Sequence, residues 1–355
     1  MSSTGLTFDS KIAIEKATTW LTPASLGAGS RIPVISANFD ATPDIIEDDT
    51  IVDTAERAEH DLGPSRLSPG DIQSAFDYAQ HKIHLILALI MGQAGVPTEV
   101  EAAARYKHVL KWVPNVQGLF ATLGKELALG TSKALQVASA KPSVVKLSGN
   151  AGGRIEQIAT FLGAGFLRDV DPSSWAFDAD PNRGGSVHGL LQQGVFRINA
   201  VSGGALASGD VVYPRDFTLS LDRGHAEEAT RENLIEEPQP DGFASVKFDM
   251  GFFRATEALV DLLRDSRDNK TPLKADYVFT GPTLGAGNYT LTKYLPRLVV
   301  TPDSAALDLP SAGRVPFAVS FNAHEAPSLP TGFPTGYVEA LCMELVNGTN
   351  ADILA

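Results

Sequence analysis

Apolar and polar residues alternate with a period of two along most of this chain, and that period predicts strands. Phe217–Leu221 shows it most cleanly, with Phe217, Leu219 and Leu221 set against Thr218 and Ser220. The same reading gives strands over Ser10–Thr19, Lys107–Val113, Gly118–Leu129, Ala134–Ala140, Ser143–Ser148, Ser245–Gly251, Ala275–Thr280, Tyr289–Val300 and Val315–Ala326. Pro296 cannot donate to a ladder, so it predicts a bulge or an edge inside its run. Arg154–Leu162 fits strand or helix.

Spacings of three and four replace the alternation in a few places. Ile72, Phe76, Ala79, Ile83, Ile86, Leu87 and Ile90 form one stripe, predicting a helix from an Asp71 cap to Met91, stopped by Gly92. Ala255–Arg267 reads as a second, amphipathic helix, with Ala255, Ala258, Leu259, Leu262 and Leu263 on its apolar face. Pro327–Thr335 reads as a linker and Tyr337–Val346 as a short C-terminal helix.

Two stretches break both periods. Asp40–Asp61 holds nine acids (Asp40, Asp44, Glu47, Asp48, Asp49, Asp53, Glu56, Glu59, Asp61) against Arg57. Asp222–Asp241 holds seven acids against two bases. Like-charge blocks of this kind predict solvated excursions. Each half of the chain therefore offers strands, an acidic excursion, one helix and more strands, with no identity between the halves visible by eye. The expected regions are 1–165, a first β-rich half; 166–210, a loop-rich insertion around one hairpin at Gly194–Val201; 211–326, a second β-rich half; and 327–355, the linker and terminal helix. The fold class is mainly β, a sandwich or barrel with a few short helices (α+β).

Charge narrows the partners. Lys+Arg 29 against Asp+Glu 42 leave a net −13 over 355 residues, the wrong sign for gripping nucleic acid through its phosphates. A single cysteine, Cys342, supports neither an intrachain disulfide nor a cysteine-rich zinc site. The opening Met1-Ser2-Ser3-Thr4-Gly5 lacks the blocks of a signal peptide, and Ile83–Met91, interrupted by His84, is far shorter than a membrane span. The expectation is a soluble protein made in a reducing cytoplasm, with no membrane partner.

Candidate chemistry is thin. Asp77, His81 and His84 lie at helical spacing but lack a further metal ligand. Asp178, Asp180 and Asn182 resemble the start of a calcium loop, yet Arg183 stands where the sharp turn needs glycine and Gly189 where a bidentate glutamate belongs. Gly149–Gly153 lacks the GK[ST] ending of a phosphate loop and reads as a tight turn. Cys342, on what reads as an apolar helix face, has no local base. No GxSxG or HExxH occurs. Neither an enzyme nor a cofactor or metal site is expected.

A strand-rich chain without catalytic motifs suits a subunit whose function is its shape, with edges completed by sister copies in a closing, heterologous ring. In its second half, Phe217–Gly224 (FTLSLDRG), Val246–Gly251, the helix ATEALVDLLRD, Tyr289–Val300 (YTLTKYLPRLVV) and Phe317–Ala323 (FAVSFNA) resemble a bacteriophage tail tube protein, with Leu295-Pro296-Arg297, Phe317 and Phe321 at matching places. In the first half, Ile12–Trp20 (IAIEKATTW), a helix over Tyr78–Gly92 and Lys133–Gly149 resemble the opening of the same family. The likeness spans most of residues 8–326, with no counterpart for 166–210.

The resemblance implies a virion structural protein of the tail, made and assembled in the host bacterial cytoplasm. It implies hexameric rings stacked into a tube, a tail terminator and baseplate or tip proteins at the ends, and a tape measure protein and then DNA in the lumen. A negatively charged lumen lets DNA slide without specific binding. The acidic excursions become candidate inter-ring or inter-subunit loops: the nine acids of Asp40–Asp61, and Glu227, Glu228, Glu232, Glu236 and Glu237 in the second. The alternatives are another virion component (a tail terminator or capsid-associated protein) or a soluble α/β enzyme.

Overall fold

The computed structural model describes residues 10–47, 60–67, 70–129, 131–175, 177, 186–227, 235–253, 255–304 and 317–355. The fold is mainly β, with two α-helices among these residues. The first run of elements is β1 (Lys11–Ala17), β2 (Arg31–Ile32), β3 (Ser36–Ala37), β4 (Ala41–Glu47), β5 (His60–Leu67), β6 (Asp71–Ala75) and α1 (His81–Met91). It continues with β7 (Gly92–Ala94), β8 (Thr98–Glu101), β9 (Arg105–Trp112), β10 (Phe120–Leu129), β11 (Thr131–Asn150) and β12 (Ile155–Val170). The second run is β13 (Gly194–Ala200), β14 (Val211–Val212), β15 (Asp216–Asp222), β16 (His225–Ala226), β17 (Gln239–Pro240), β18 (Ser245–Phe252), α2 (Glu257–Asn269), β19 (Leu273–Leu284), β20 (Gly287–Val300) and β21 (Phe317–Ala323). A last strand, β22 (Cys342–Asn347), follows.

The pairings reveal a repeat. In the first run the spatial order is β2-β1-β10-β11-β12-β6-β3, every neighbour antiparallel. In the second run it is β14-β13-β19-β20-β21-β18-β15, again antiparallel throughout. Each position in one order corresponds to the same sequential position in the other, with the helix in the same connection. Both orders also close on themselves. The bent segment 31–37 pairs with β1 at its start and with β6 at its end, and 211–222 pairs in the same way with β13 and β18. Each run is therefore a small closed barrel, which removes most of its exposed edges. The acidic excursions occupy one equivalent connection, carrying β4–β5 in barrel 1 and β16–β17 in barrel 2.

Two joints weld the barrels into one 18-stranded sheet. The long β11 pairs with β10 as far as Ala140, shifts register beside Pro142, and its far end, Val144–Asn150, pairs with β15. Ala134–Ala140 and Ser143–Ser148 are thus one strand. At the second joint β22 lies between β20 and β9, with Leu345 opposite Leu291 on one side and His108 on the other. This corrects the expected C-terminal helix: 342–347 is buried at five of six positions, and a continuous apolar run on a doubly covered strand mimics helical spacing.

Other expectations are revised for physical reasons. The first helix begins at His81, not Asp71, because Asp71–Ala75 pairs with β12 and β3. The Asp77 carboxylate then accepts the Ala79 amide, 2.8 Å away, turning the chain before the helix. The stop at Gly92 stands: φ is 90°, and a Cβ there would meet Val113 Cγ2 at 2.7 Å. Within 166–210, Gly194–Ala200 forms β13, which pairs antiparallel with β14 as well as with β19. Phe166–Val170 completes β12, and β13 is the strand of barrel 2 equivalent to β1. At Pro296 the expected bulge is present: Leu273 faces Leu298 while Ala275 faces Leu295.

The two helices differ in burial as their sequences differ in pattern. α1 (HKIHLILALIM) is buried from Ile83 to Met91, packed against barrel 1 on one side and β9 on the other. α2 buries Leu259, Leu263 and Ser266 and shows its charged face to solvent. Barrel 2 is filled by a ring cluster, Phe196, Phe217, Phe248, Tyr277 and Phe279, with centroids 4.6 to 6.3 Å apart.

Candidate functional site

The joint between the barrels holds two buried cations, Arg223 and Lys141. β15 ends at Asp222, and its carboxylate accepts the Gly224 amide at 2.8 Å, turning the chain out of the barrel. Arg223, at the turn, is 2% exposed. Its guanidinium donates to the carbonyls of Ile90 (2.7 Å), Met91 (2.8 Å) and Val113 (2.7 Å). It also stacks 3.5 Å from the centre of the Trp112 ring. Two of those carbonyls belong to the last turn of α1, which has no intrahelical donors for them and carries the negative end of the helix dipole. A residue of barrel 2 thereby caps the helix of barrel 1. Burial pushes the guanidinium down to about 9.

The rest of the second excursion returns over barrel 1. Glu237 accepts from Lys141 Nζ at 2.6 Å and from the Gly118 amide at 2.8 Å. Lys141 is 2% exposed, and burial draws its pKa below the ordinary lysine value against the pull of Glu237. Glu227 accepts the Gly163 amide at 2.8 Å. Ile235 is buried, and its carbonyl takes the Trp20 indole N–H at 2.8 Å. Glu236 is exposed, and Glu228 and Glu232 lie outside the described residues. The sequence predicts a solvated excursion here, and the resemblance implies an inter-ring or inter-subunit loop. Its described ends instead clasp the other barrel of the same chain.

Among the described residues the first excursion has no such hold on the other barrel. It is a hairpin, with Ala41 opposite Leu67 and Glu47 opposite His60, forming a two-stranded sheet of its own. Asp44 and Glu47 are on β4 and Asp61 on β5; Asp48, Asp49, Asp53, Glu56 and Glu59 lie outside the described residues. Asp40, at the base, stands 3.9 Å from Arg168 of β12 with both groups largely in solvent, a contact of small energetic weight. β3, which leads into this hairpin, pairs with β6 on one side, and Ile35 beside it is 48% exposed.

The weaker chemical candidates resolve into structure. His84 Nε2 lies 2.8 Å from the Asp77 carbonyl, and burial lowers its pKa to about 3. His81 packs edge-on to His108, with centroids 6.5 Å apart, and burial takes it to about 4. Among the described residues no three His, Cys, Asp or Glu side chains gather as a metal set. Asn150–Gly153 turns β11 into β12, with Gly152 at φ 76° and the Gly153 amide on the Asn150 carbonyl at 2.8 Å. Cys342 is on a strand rather than a helix face, its thiol donating to Glu339 at 3.2 Å and pushed up by burial. Asp178, Asp180 and Asn182 lie outside the described residues. No described helix is long and apolar enough to cross a membrane.

Sequence reasoning missed Arg223, Lys141 and Trp20 because each acts on a partner more than 90 residues away. The one available signal was Arg223 itself, a base directly after a strand at the head of an acidic stretch. No family model matches the chain, and no curated protein sequence matches it.

Proposed function

We propose that this chain is a structural subunit of a phage tail tube. Its barrels stand side by side in stacked rings, and viral DNA passes through the lumen during ejection. The observation that carries the reading is the repeated barrel. Two units of one topology are joined within the chain by a strand arm and a clasping loop, while among the described residues the matching strand edge and hairpin of barrel 1 have no counterpart barrel. A contact of this head-to-tail kind is heterologous and repeats until the circle closes. The resemblance of FTLSLDRG, YTLTKYLPRLVV and FAVSFNA to tail tube proteins points the same way.

Charge fits the role. At −13 per chain, acids facing the lumen within ~10 Å of DNA repel it at physiological salt. The duplex then moves through water and counterions rather than along a binding surface. The partners are sister copies, a terminator and tip proteins at the tube ends, and the tape measure protein before DNA; the chain has no enzymatic step of its own.

Sedimentation of the purified chain, with negative-stain images of the same sample and a filter-retention assay against duplex DNA, tests the reading. Annular or tubular particles that leave DNA unretained support it. A discrete monomer at every concentration, or DNA held with micromolar affinity, refutes it.

A further inference from the structure

Of the two joints between the barrels, the one at β11 and β15 is built from parts that recur in the repeat. From barrel 1, the end of β11 adds to the outer edge of β15. From barrel 2, the excursion between β15 and β18 folds back over barrel 1 and is held at Trp20, Gly118, Lys141 and Gly163. In the repeat, β3 corresponds to β15, and the β4–β5 hairpin corresponds to that excursion. Both are present in barrel 1, and no described strand adds to the outer edge of β3. We infer that barrel 2 of a second copy of this chain docks here: the β4–β5 hairpin clasps it, and the β3 edge lies against it within the same ring. The inference rests on the tube reading and adds to it the surface and the stoichiometry.

The docking rim on barrel 2 follows from the same correspondence. Trp20 lies three residues past β1, Gly118 two before β10, and Lys141 one past the last β10–β11 pair. The same offsets on barrel 2 fall at Gly203, Thr271 and Val299. Around them stand Lys270 and His324, both exposed, and half-buried Arg297, whose carbonyl takes the His324 amide. Neither Lys270 nor Arg297 has a carboxylate paired with it among the described residues; the acids of this rim are Asp265, hydrogen-bonded to Thr271, with Asp268 and Glu325 close by in the chain. The arriving hairpin carries Asp44, Glu47 and Asp61 on its strands. Opposite charge across such a rim steers the encounter and fixes register more than it adds affinity. Ile35 supplies exposed apolar surface at the edge itself.

The count of chains changes as a result. Equal cylinders standing in a circle of six leave a hole about one cylinder wide, comparable to a DNA duplex for barrels this small, whereas twelve leave a hole about three widths across. Two barrels per chain therefore make a six-barrel ring from three chains, where the family resemblance alone implies six.

Charge reversal with rescue tests this. Asp44→Lys with Glu47→Lys in one variant, and Lys270→Glu with Arg297→Glu in another, each raise the critical concentration for assembly at least about tenfold. All four changes in one chain restore it, and far-ultraviolet circular dichroism stays that of the parent throughout. Native mass spectrometry of rings released from wild-type tubes gives three chains. If wild-type protein never assembles, both this inference and the tube reading fall. If tubes form but contain six chains per ring, or if either reversed variant assembles like the parent, this inference falls and the tube reading stands.

Discussion

Lys293 is 1% exposed, and its Nζ has no hydrogen-bond partner among the described residues. The ammonium sits 4.9 Å from the centre of Phe217 and 5.3 Å from that of Phe279. Ring faces compensate a cation only in part, and burial pushes its pKa down from 10.5 to about 7. The folded state therefore favours the neutral amine. Above about pH 10.5 both folded and unfolded chains are neutral there and nothing is lost. Between about 10.5 and 7 the unfolded chain holds a proton that the folded one lacks, so stability falls as pH falls. Below about 7 both are charged and the full cost, on the order of 5 kcal/mol, remains. Lys293→Met, similar in volume, is expected to raise the melting temperature by several degrees at pH 6 and little at pH 10. Equal melting of the two proteins at both pH values would contradict this.

At the scale of elements, the joint between the barrels rests on a few buried charges. Removing one partner of a buried ion pair strands the other, at a cost of about 3–5 kcal/mol. Lys141→Met and Glu237→Met should each lose that much in urea unfolding, while the double variant recovers most of it. Full additivity of the two losses would show that they do not act as a pair. Arg223→Met leaves the Ile90, Met91 and Val113 carbonyls without their donor, and a loss of about 3 kcal/mol is expected. Amide hydrogen exchange should then quicken in the last turn of α1 and not in α2.

What the sequence revealed divides along the same physical line. Strands with one wet face, such as β15 and β18, were legible because alternation records which face is buried. α2 was legible for the equivalent reason at a period of 3.6. β22 was not, because a strand covered on both faces carries apolar residues without a period, and the start of α1 was not, because Ile72, Phe76 and Ala79, in and just after β6, fall by chance at helical spacing with the helix that follows. Of the candidate loops, composition marked both as acidic, but charge alone does not distinguish a hairpin lying along β12 of its own barrel from a stretch pinned to the other barrel by Glu237 and Ile235. The two halves match in their pattern of strands, acidic stretch and helix along the sequence, and the shared strand order makes that match specific.

For the whole molecule, the central claim is that a chain of two like barrels, welded to each other at two joints, is completed by further copies around a passage. Electron cryomicroscopy of the assembled particles measures this directly. We expect a reconstruction with stacked annuli, each a circle of barrels enclosing a water-filled channel wide enough for a duplex, with the β4–β5 hairpin of one chain lying on barrel 2 of the next. Discrete two-barrel monomers, or particles in which β3 and that hairpin face solvent and touch no other copy, would contradict the account.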